Sequence, residues 1–236
     1  LITTCRCSKI VSTLSALRPG DHPLGEDTAA ASRPAPEGGY NQTKWVAERL
    51  VAEAAARGLP VTVYRLGSIG GHSVTGASNP QDIFVRQVTG YLAEGLAPEG
   101  EALVNILPVD CAARAILHLA ALPPSGRAYH LLHSVPAPAS VLFEALAAAG
   151  HPVRRVPVAE WQALLARIAR EDPGHPLYPL AALGAPQGFG GTVWPYGCAA
   201  TRSALAPLRE PPLTPALIAP TVRRLIAGLA PKETRT

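Results

Sequence analysis

The sequence feature that most restricts the fold is a strand, a helix and a second strand in succession over residues 8–66. SKIVST (8–13) is rich in β-branched residues and predicts a short buried strand. A helical pattern begins after Gly39 and is ended by Gly58 and Pro60, and PVTVYRL (60–66) predicts the second strand. A strand–helix–strand unit predicts a parallel sheet with a right-handed crossover.

One stripe of the crossover helix carries its apolar side chains at helical spacing. The members of this stripe are Val46, Leu50, Val51 and Ala54. Most charged residues of the helix are predicted to lie away from the stripe. They are Glu48, Arg49, Glu53 and Arg57.

Beyond residue 66 the alternation of helices and strands continues, and it predicts an α/β fold. The predicted helices lie near 80–96, 110–121 and 138–149, and the predicted strands near 102–107, 128–132 and 152–156. Asp110 is a plausible N-cap of its helix. From about Val158 the pattern turns to helices and proline-rich connections, with a final helix near 215–229. We therefore expect a parallel sheet followed by a smaller, mostly helical part.

The composition argues against several classes of protein. Hydrophobic residues make up 47% of the 236 residues and charged residues 16%, which is typical of a chain that forms a core. No stretch approaches the ~18 uninterrupted apolar residues of a membrane span, and the first residues do not resemble a signal peptide. The net charge of +4 is accompanied by no nucleic-acid-binding motif, so no nucleic-acid partner is expected.

The cysteines bear on the cellular compartment of the chain, and the absence of methionine bears on whether it is part of a longer polypeptide. The four cysteines fit neither a zinc site nor a disulfide framework, so we expect no metal and a reduced, cytoplasmic setting. His130 and His133 are three apart on a predicted strand and should point to opposite faces, which does not suit a shared metal. The sequence contains no methionine, and we expect it to be a segment of a longer polypeptide.

Tyr40 and Lys44 are the first candidate functional residues. They open the crossover helix one turn apart and therefore share one face. The pair follows a long loop over residues 16–37 and the strand end VSTLS. Side chains at the carboxyl end of a parallel strand point into the crevice where open α/β sheets bind ligands. A hydroxyl there, from Thr13, Ser12 or Ser15, could meet Tyr40 across the crevice.

These three kinds of group suit the reduction of a carbonyl. Hydride addition builds negative charge on the carbonyl oxygen, and two hydroxyl donors stabilise that charge as an oxyanion hole does. One donor must also give up a proton, and a nearby ammonium favours the ionised phenol. Lys44 would also be free to bond a cofactor ribose. Taken alone, however, a Tyr-x-x-x-Lys pair is common and is compatible with a plain exposed face.

Four longer motifs carry a family resemblance. They are VSTLSAL (11–17), YNQTK (40–44), VYRLGSIGGHSVTGASNPQD (63–82) and ILPVDCAARAILHLA (106–120). Together they resemble the extended short-chain dehydrogenases/reductases. Within these, they resemble the thioester reductase (terminal R) domains of nonribosomal peptide and polyketide synthases. The resemblance is strong over residues 8–121 and weaker beyond them.

The resemblance implies a Rossmann-like core over residues 1–135 and a substrate- and carrier-binding subdomain over 136–236. It implies Thr13, Tyr40 and Lys44 as the catalytic triad, with Ser12 as the alternative to Thr13. The residues that it implies for contact with the nicotinamide end of the cofactor are Ser12, Tyr40, Lys44, Leu66, Gly67, Ser68 and Ile69. The implied cofactor is NADPH. The implied partners are a carrier protein with a phosphopantetheine-tethered substrate and the upstream synthase modules.

The implied reaction is reductive release of a carrier-bound acyl or peptidyl thioester as an aldehyde, or further as an alcohol. Three alternatives stay open: a redox-inactive domain that releases its chain by cyclisation, a non-catalytic carrier-docking module, and a nucleotide-sugar epimerase or dehydratase of the same superfamily. The glycine-rich phosphate loop of the family belongs to an N-terminal part that this sequence lacks. The glycines Gly67, Gly70 and Gly71 do not replace it, because a helix start does not follow them.

A hydrolase is a weaker possibility. LGSIG (66–70) offers a serine after a strand, but Leu66 stands where a nucleophile elbow requires its first glycine. Farther along the chain, Trp161, Leu164, Leu165 and Ile168 form an amphipathic stripe. Such a stripe indicates packing more often than binding.

Overall fold

The computed structural model describes residues 8–18, 23–100, 102–123, 126–182 and 195–229. The strands are β1 (Ser8–Thr13), β2 (Val61–Leu66), β3 (Ser68–Gly70), β4 (Leu96–Pro98), β5 (Leu103–Val104), β6 (Ile106–Pro108), β7 (Ala128–Leu131), β8 (Ala137–Pro138) and β9 (Arg154–Val156). The helices are α1 (Gly39–Ala56), α2 (Ile83–Glu94), α3 (Val109–Ala121), α4 (Ser140–Ala148), α5 (Val158–Glu171), α6 (Tyr178–Ala182), α7 (Ala199–Ala204) and α8 (Pro215–Gly228). None of the helices within these ranges is long and apolar enough to cross a membrane. Cys5 and Cys7 lie outside the described residues.

The central sheet has the strand order β1-β2-β7, and both pairings are parallel. Ser8 lies opposite Val61 and Thr13 opposite Leu66, so the carboxyl ends of β1 and β2 meet at one edge of the sheet. Helix α1 forms the crossover between these two strands. The predicted α/β fold with a Rossmann-like parallel sheet is confirmed.

The predicted strand near 102–107 is divided in two. β5 pairs antiparallel with β8, whereas β6 pairs parallel with β3. Asn105 lies between β5 and β6 and is 2% exposed. Its side-chain amide donates to His133 O at 2.6 Å, and its Oδ1 accepts from His133 N at 2.7 Å. At Asn105 these bonds between a side chain and the backbone replace the backbone hydrogen bonds that one continuous strand would form with a neighbouring strand.

Two main cores stabilise the fold on either side of this division. The larger core joins α2, α4, α5 and α8, with Trp161 fully buried and its ring 5.5 Å from that of Tyr91, edge to face. Leu165 and Ile168 belong to the same core, which confirms that the stripe on α5 is a packing surface. The second core packs α3 against one face of the central sheet, through residues such as Tyr64 and Leu131.

The predicted orientation of α1 is wrong. Val46 and Leu50 are 47% and 66% exposed, whereas Glu48 is only 5% exposed and is the buried residue of the helix. The reason is a buried ion pair between Glu48 and Arg65 of β2. Leaving the Arg65 guanidinium buried without a carboxylate would cost more free energy than leaving the two aliphatic side chains exposed. Val11 of β1 is also 52% exposed, so this edge of the sheet carries uncovered apolar surface.

Asp110 is not the N-cap of α3, because Pro108 occupies that position and Asp110 lies in the first turn. Its carboxylate instead accepts hydrogen bonds from Ser73 N at 2.9 Å and from Ser73 Oγ at 2.8 Å. These bonds favour the charged form, and the pKa of Asp110 is lowered although partial burial opposes the shift. Asp110 therefore ties the loop after β3 to the start of α3.

Gly90 of α2 provides a test of the larger core. A methyl group at this position would lie 2.3 Å from Leu177 Cγ, and Leu177 is fully buried in the larger core. We expect Gly90→Ala to lower the free energy of unfolding by about 1–3 kcal/mol, because overpacking outweighs the gain in helix propensity. Urea denaturation measures the change.

The matched control is Gly228→Ala in α8, where a methyl group would have no neighbour within 4 Å. We expect this change to leave stability unaltered or to raise it by up to about 1 kcal/mol. Equal effects of the two substitutions would show that Gly90 is not a close-packing position.

Candidate active site

The carboxyl edge of the central sheet brings several of the predicted site residues together. The pairing of Thr13 with Leu66 places the ends of β1 and β2 side by side, and Gly67 N donates to Leu131 O of β7 at 2.9 Å. A methyl group at Gly67 would lie 3.5 Å from Leu14 Cδ1 and 3.4 Å from Leu132 Cβ. These are ordinary van der Waals distances, so the backbone of Gly67 packs directly between the ends of β1 and β7. Ser68 and Ile69 follow in β3 and are half-buried.

Thr13 ends β1 and begins a 3₁₀ turn over Leu14–Ala16. Its Oγ1 accepts from Ser15 N at 3.3 Å and lies 2.9 Å from Ser15 Oγ. These contacts fix the rotamer of Thr13 at the edge of the sheet, where its side chain is half-buried. Ser15 therefore supports the Thr13 hydroxyl.

Ser12 has a different environment from Thr13. It is 6% exposed, and its hydroxyl donates to Glu48 Oε1 at 2.5 Å beneath α1. Successive side chains of a strand point to opposite faces, so Ser12 and Thr13 do not share a face of the sheet. This geometry favours Thr13 over Ser12 as a hydroxyl available to a ligand.

Tyr40 and Lys44 lie in the first turns of α1. Lys44 Nζ is 5.8 Å from the centroid of the Tyr40 ring, within the range of a cation–π contact. The pair is therefore stacked one turn apart, as the spacing predicts. Tyr40 is 64% exposed, so within the described residues its phenol lies at the surface and is open to a ligand.

Trp45 anchors this end of α1. Its Nε1 donates to Ala30 O at 2.8 Å, and its ring packs against Leu17 and Leu24. The loop that precedes the helix is thereby held against the helix face next to Lys44. The sequence analysis did not select Trp45, although a tryptophan in an otherwise polar helix start is a signal of such an anchor.

A buried ion pair fixes the middle of α1. Arg65 Nη2 donates to Glu48 Oε2 at 2.7 Å and Arg65 Nε donates to both carboxylate oxygens at 3.0–3.1 Å, with both side chains only 4% exposed. Arg65 Nη1 donates to Thr28 O at 2.9 Å. Sequence reasoning missed this pair. The available signal was an arginine inside a strand predicted to be buried, since a buried charge requires a partner.

His130 of β7 extends the network. Its Nδ1 lies 2.7 Å from Gly197 O and must carry the proton, so Nε2 accepts from Arg65 Nη1 at 3.3 Å. Burial lowers the pKa of His130, the bond to Gly197 O opposes the shift, and the charge of Arg65 lowers the pKa further. The ring is therefore neutral at pH 7 and joins the ion pair to the segment before α7.

Glu26 completes the network on the other side of β7. Its carboxylate accepts from His130 N at 3.1 Å, from Ala200 N at 2.6 Å and from Thr201 N at 2.9 Å, and Thr201 Oγ1 also donates to it. The last two backbone donors belong to the first turn of α7, where an acidic group is favoured. The segment after residue 195 is thereby held against the sheet.

The described histidines do not come together as ligands of a metal. No group of three or more potential ligands occurs in the part of the chain that the structure describes. β7 ends at Leu131, so His133 does not lie on the strand as expected, and its ring nitrogens face Val135 O and Pro211 O. His72 Nδ1 accepts from Val74 N, and His118 Nε2 lies 3.2 Å from Ala204 O.

Gly70 and Gly71, which follow β2, lie at positions where other residues pack too closely for a side chain. A methyl group at Gly71 would lie 2.5 Å from Thr221 Oγ1 of α8, and one at Gly70 would lie 2.7 Å from Ile106 Cγ2. Ser68 begins a strand, and no non-glycine residue of the described ranges has a positive φ. This excludes the strained turn of a nucleophile elbow and does not fit a phosphate-binding loop followed by a helix.

Comparison with known proteins agrees with the observed fold. Residues 4–116 match an NAD-binding family model described as "Male sterility protein". Glycine betaine reductase ATRR of Emericella nidulans is 37% identical over 160 residues, which make up 65% of this chain and 13% of that protein. The chain therefore spans a small part of this curated relative.

Solved structures also share the fold. The terminal R domain from the myxalamid PKS-NRPS biosynthetic pathway superposes with a TM-score of 0.81 at 33% identity, covering 94% of this chain and 58% of that one. A UDP-glucuronic acid 4-epimerase from Bacillus cereus in complex with NAD gives a TM-score of 0.61 at 12% identity, covering 95% of this chain and 62% of that one. The second likeness concerns the fold alone.

The buried ion pair predicts a large and specific loss of stability. We expect Glu48→Ala to lower the free energy of unfolding by about 3–5 kcal/mol, because it leaves the Arg65 guanidinium buried without a carboxylate. Glu53→Ala, on the exposed face of the same helix, should change it by less than about 0.5 kcal/mol. A Glu48→Leu, Arg65→Met double variant should be more stable than Glu48→Ala. Chemical denaturation of the four proteins tests this, and equal stabilities for Glu48→Ala and Glu53→Ala would contradict it.

The lowered pKa of His130 predicts how the stability of the fold depends on pH. Because its pKa in the folded chain is lowered, the unfolded chain binds the proton more readily, and stability should fall as pH drops below about 6.5. One such group contributes a slope of at most about 1.4 kcal/mol per pH unit. We expect His130→Gln to reduce the slope measured between pH 7.5 and 5.5, and His151→Gln, at an exposed position, to retain it. An unchanged slope in His130→Gln would exclude this residue as the origin.

Proposed function

We propose that this chain takes part in NADPH-dependent reductive release of a carrier-bound acyl or peptidyl thioester. The proposal rests on its membership of the extended short-chain dehydrogenases/reductases and on the fold that it shares with their terminal reductase domains. The observation that carries the proposal is the carboxyl edge at which Thr13 and Leu66 pair, ahead of a crossover helix in whose first turns Lys44 lies over the Tyr40 ring. In the proposed site, this edge and the helix start supply two hydroxyl donors and a cation to the crevice where parallel sheets bind ligands.

The residues at this edge suit the nicotinamide and ribose end of a dinucleotide. The backbone of Leu66–Ile69 and the small residues Gly67 and Ser68 would border the ring. Lys44 would bond the ribose hydroxyls. When bound, the cofactor supplies a hydride. Among the described residues, Gly70 and Gly71 are used for packing, so the pyrophosphate is expected to bind elsewhere in a longer polypeptide.

Tyr40 and Thr13 would act on the thioester oxygen. Both hydroxyls would donate hydrogen bonds to the carbonyl oxygen while hydride adds to its carbon, and Tyr40 would transfer its proton to the oxygen. The product of this step is a thiohemiacetal. Its C–S bond then breaks, the hydroxyl proton is lost, and the pantetheine sulfur leaves with its electron pair and is protonated to a thiol. An aldehyde remains.

Lys44 supports this proton transfer from its position over the ring. An ammonium near the phenol stabilises the phenolate that remains after protonation of the substrate. The exposure of Tyr40 is consistent with the same role, because both a cofactor and a carrier-tethered substrate must reach the hydroxyl. Ser12 takes no part in the chemistry and instead holds Glu48 beneath α1.

A carrier-docking module without catalysis is the second candidate function. Val11 of the edge strand β1 and Val46 and Leu50 of α1 are exposed, and these apolar side chains could contact a carrier protein. Such a module would bind the carrier but not the dinucleotide. Binding of NADPH to the longest natural polypeptide that contains these residues separates the two functions.

The catalytic role of Tyr40 is tested by its substitution. With an acyl-pantetheine thioester as substrate, we expect Tyr40→Phe to lower the rate of NADPH oxidation about 100-fold or more in the longest natural polypeptide, because an acid and an oxyanion donor are removed. Stability should not change, since the ring is exposed.

Tyr178→Phe is the matched control, because this tyrosine lies in α6, a separate helix, and packs against the larger core. It should retain the rate. Undiminished NADPH oxidation by Tyr40→Phe would refute the catalytic assignment, and oxidation of NADPH by neither the natural protein nor the variants would favour the docking module.

A further inference from the structure

An open cavity lies on the face of the central sheet that α3 covers. It has a volume of about 200 Å³ and is lined by α3 and by the segment from Cys198 to Glu210. Its walls are largely apolar. The apolar side chains include Leu107, Leu131, Leu132, Leu205 and Leu208.

Two thiols line this cavity from its two sides. Cys111 belongs to α3, and Cys198 immediately precedes α7. Both are free and buried. Arg114 Nη2 lies 3.1 Å from Cys111 Sγ, so a guanidinium also reaches the cavity wall. The thiols thus report directly on whether the cavity is filled.

The cavity carries an excess of unpaired positive charge. Arg114 is paired with Asp110 at 3.2 Å. Arg202 and Arg209 also line the cavity, and neither forms an ion pair with any residue of the described ranges. Glu210 is the acidic residue of the lining, and its carboxylate accepts from Ser134 N at 3.1–3.2 Å and from Ser134 Oγ. Within the described residues, the guanidinium groups of Arg202 and Arg209 are therefore available to an external anion.

We infer that this cavity is a binding site for a small amphipathic monoanion, a carboxylate with a compact apolar body, separate from the site at Thr13, Tyr40 and Lys44. The apolar body lies among the leucines, and Arg202 and Arg209 hold the carboxylate at the mouth. An apolar cavity of about 150 Å³ holds a benzene molecule, so this volume suits one ring or a chain of similar size.

The site adjoins the candidate active site through one side chain. Leu132 lines the cavity, and it is also the side chain that a methyl group at Gly67 would approach to 3.4 Å. Leu132, Leu14 and Cys198 belong to one cluster. An occupant of the cavity therefore packs against the residues that support the Leu66–Ile69 segment.

Phenylacetate is the probe that tests the inference, and 2-phenylethanol is its uncharged counterpart. Calorimetry on the longest natural polypeptide should show binding of phenylacetate. Replacing both arginines, Arg202→Gln with Arg209→Gln, should weaken this binding at least about fivefold and leave that of 2-phenylethanol unchanged. Ala206→Trp, at an exposed position of the cavity lining, should weaken both probes. Arg57→Gln, at the exposed end of α1, should weaken neither.

Alkylation of the thiols locates the probe independently of activity. Phenylacetate should slow the reaction of Cys111 and Cys198 with iodoacetamide, measured on the separate peptides by mass spectrometry. The inference is overturned if phenylacetate does not bind or does not protect these thiols. It is also overturned if the double arginine variant binds phenylacetate as well as the natural protein does, or loses both probes equally.

Discussion

The buried ion pair between Glu48 and Arg65 determines how the rest of this structure is arranged. Both side chains are 4% exposed, and the guanidinium donates through two nitrogens to the carboxylate, with contacts from 2.7 to 3.1 Å. In a low-dielectric interior either charge alone would be costly, so the helix and the strand must keep the two groups together. The rotation of α1 about its axis follows from this requirement, even though it leaves Val46 and Leu50 exposed.

The orientation of α1 then sets the geometry of the candidate site. Glu48 is turned to the sheet and Trp45 is bonded to Ala30 O, and in the first turns of the same helix Lys44 lies over the exposed ring of Tyr40. His130 and Glu26 continue the polar network to α7, so the later part of the chain is positioned by the same charges. The network supports the site from beneath and takes no part in the proposed chemistry.

The α/β order of the main elements and the contact of Tyr40 with Lys44 followed from the sequence, because they depend on local patterns. β-branched runs, the Gly58 and Pro60 stop and the i, i+4 spacing of Tyr40 and Lys44 are properties of neighbouring residues. The orientation of α1 and the two-strand division at Asn105 could not be predicted in this way. Each depends on a partner distant in sequence, Arg65 for Glu48 and the backbone of His133 for Asn105. The same holds for Asp110, whose carboxylate bonds Ser73 instead of capping its own helix.

The proposed function requires a nicotinamide ring to lie between Tyr40 and the strand ends at Thr13 and Leu66–Ile69. A crystal structure of the longest natural polypeptide with NADP⁺ would show whether it does. We expect the nicotinamide carboxamide side of the cofactor beside Leu66–Ile69, Lys44 Nζ within about 3.2 Å of a ribose hydroxyl, and the Tyr40 and Thr13 hydroxyls facing the ring. A dinucleotide bound elsewhere, with the Tyr40 hydroxyl still in solvent, would contradict it.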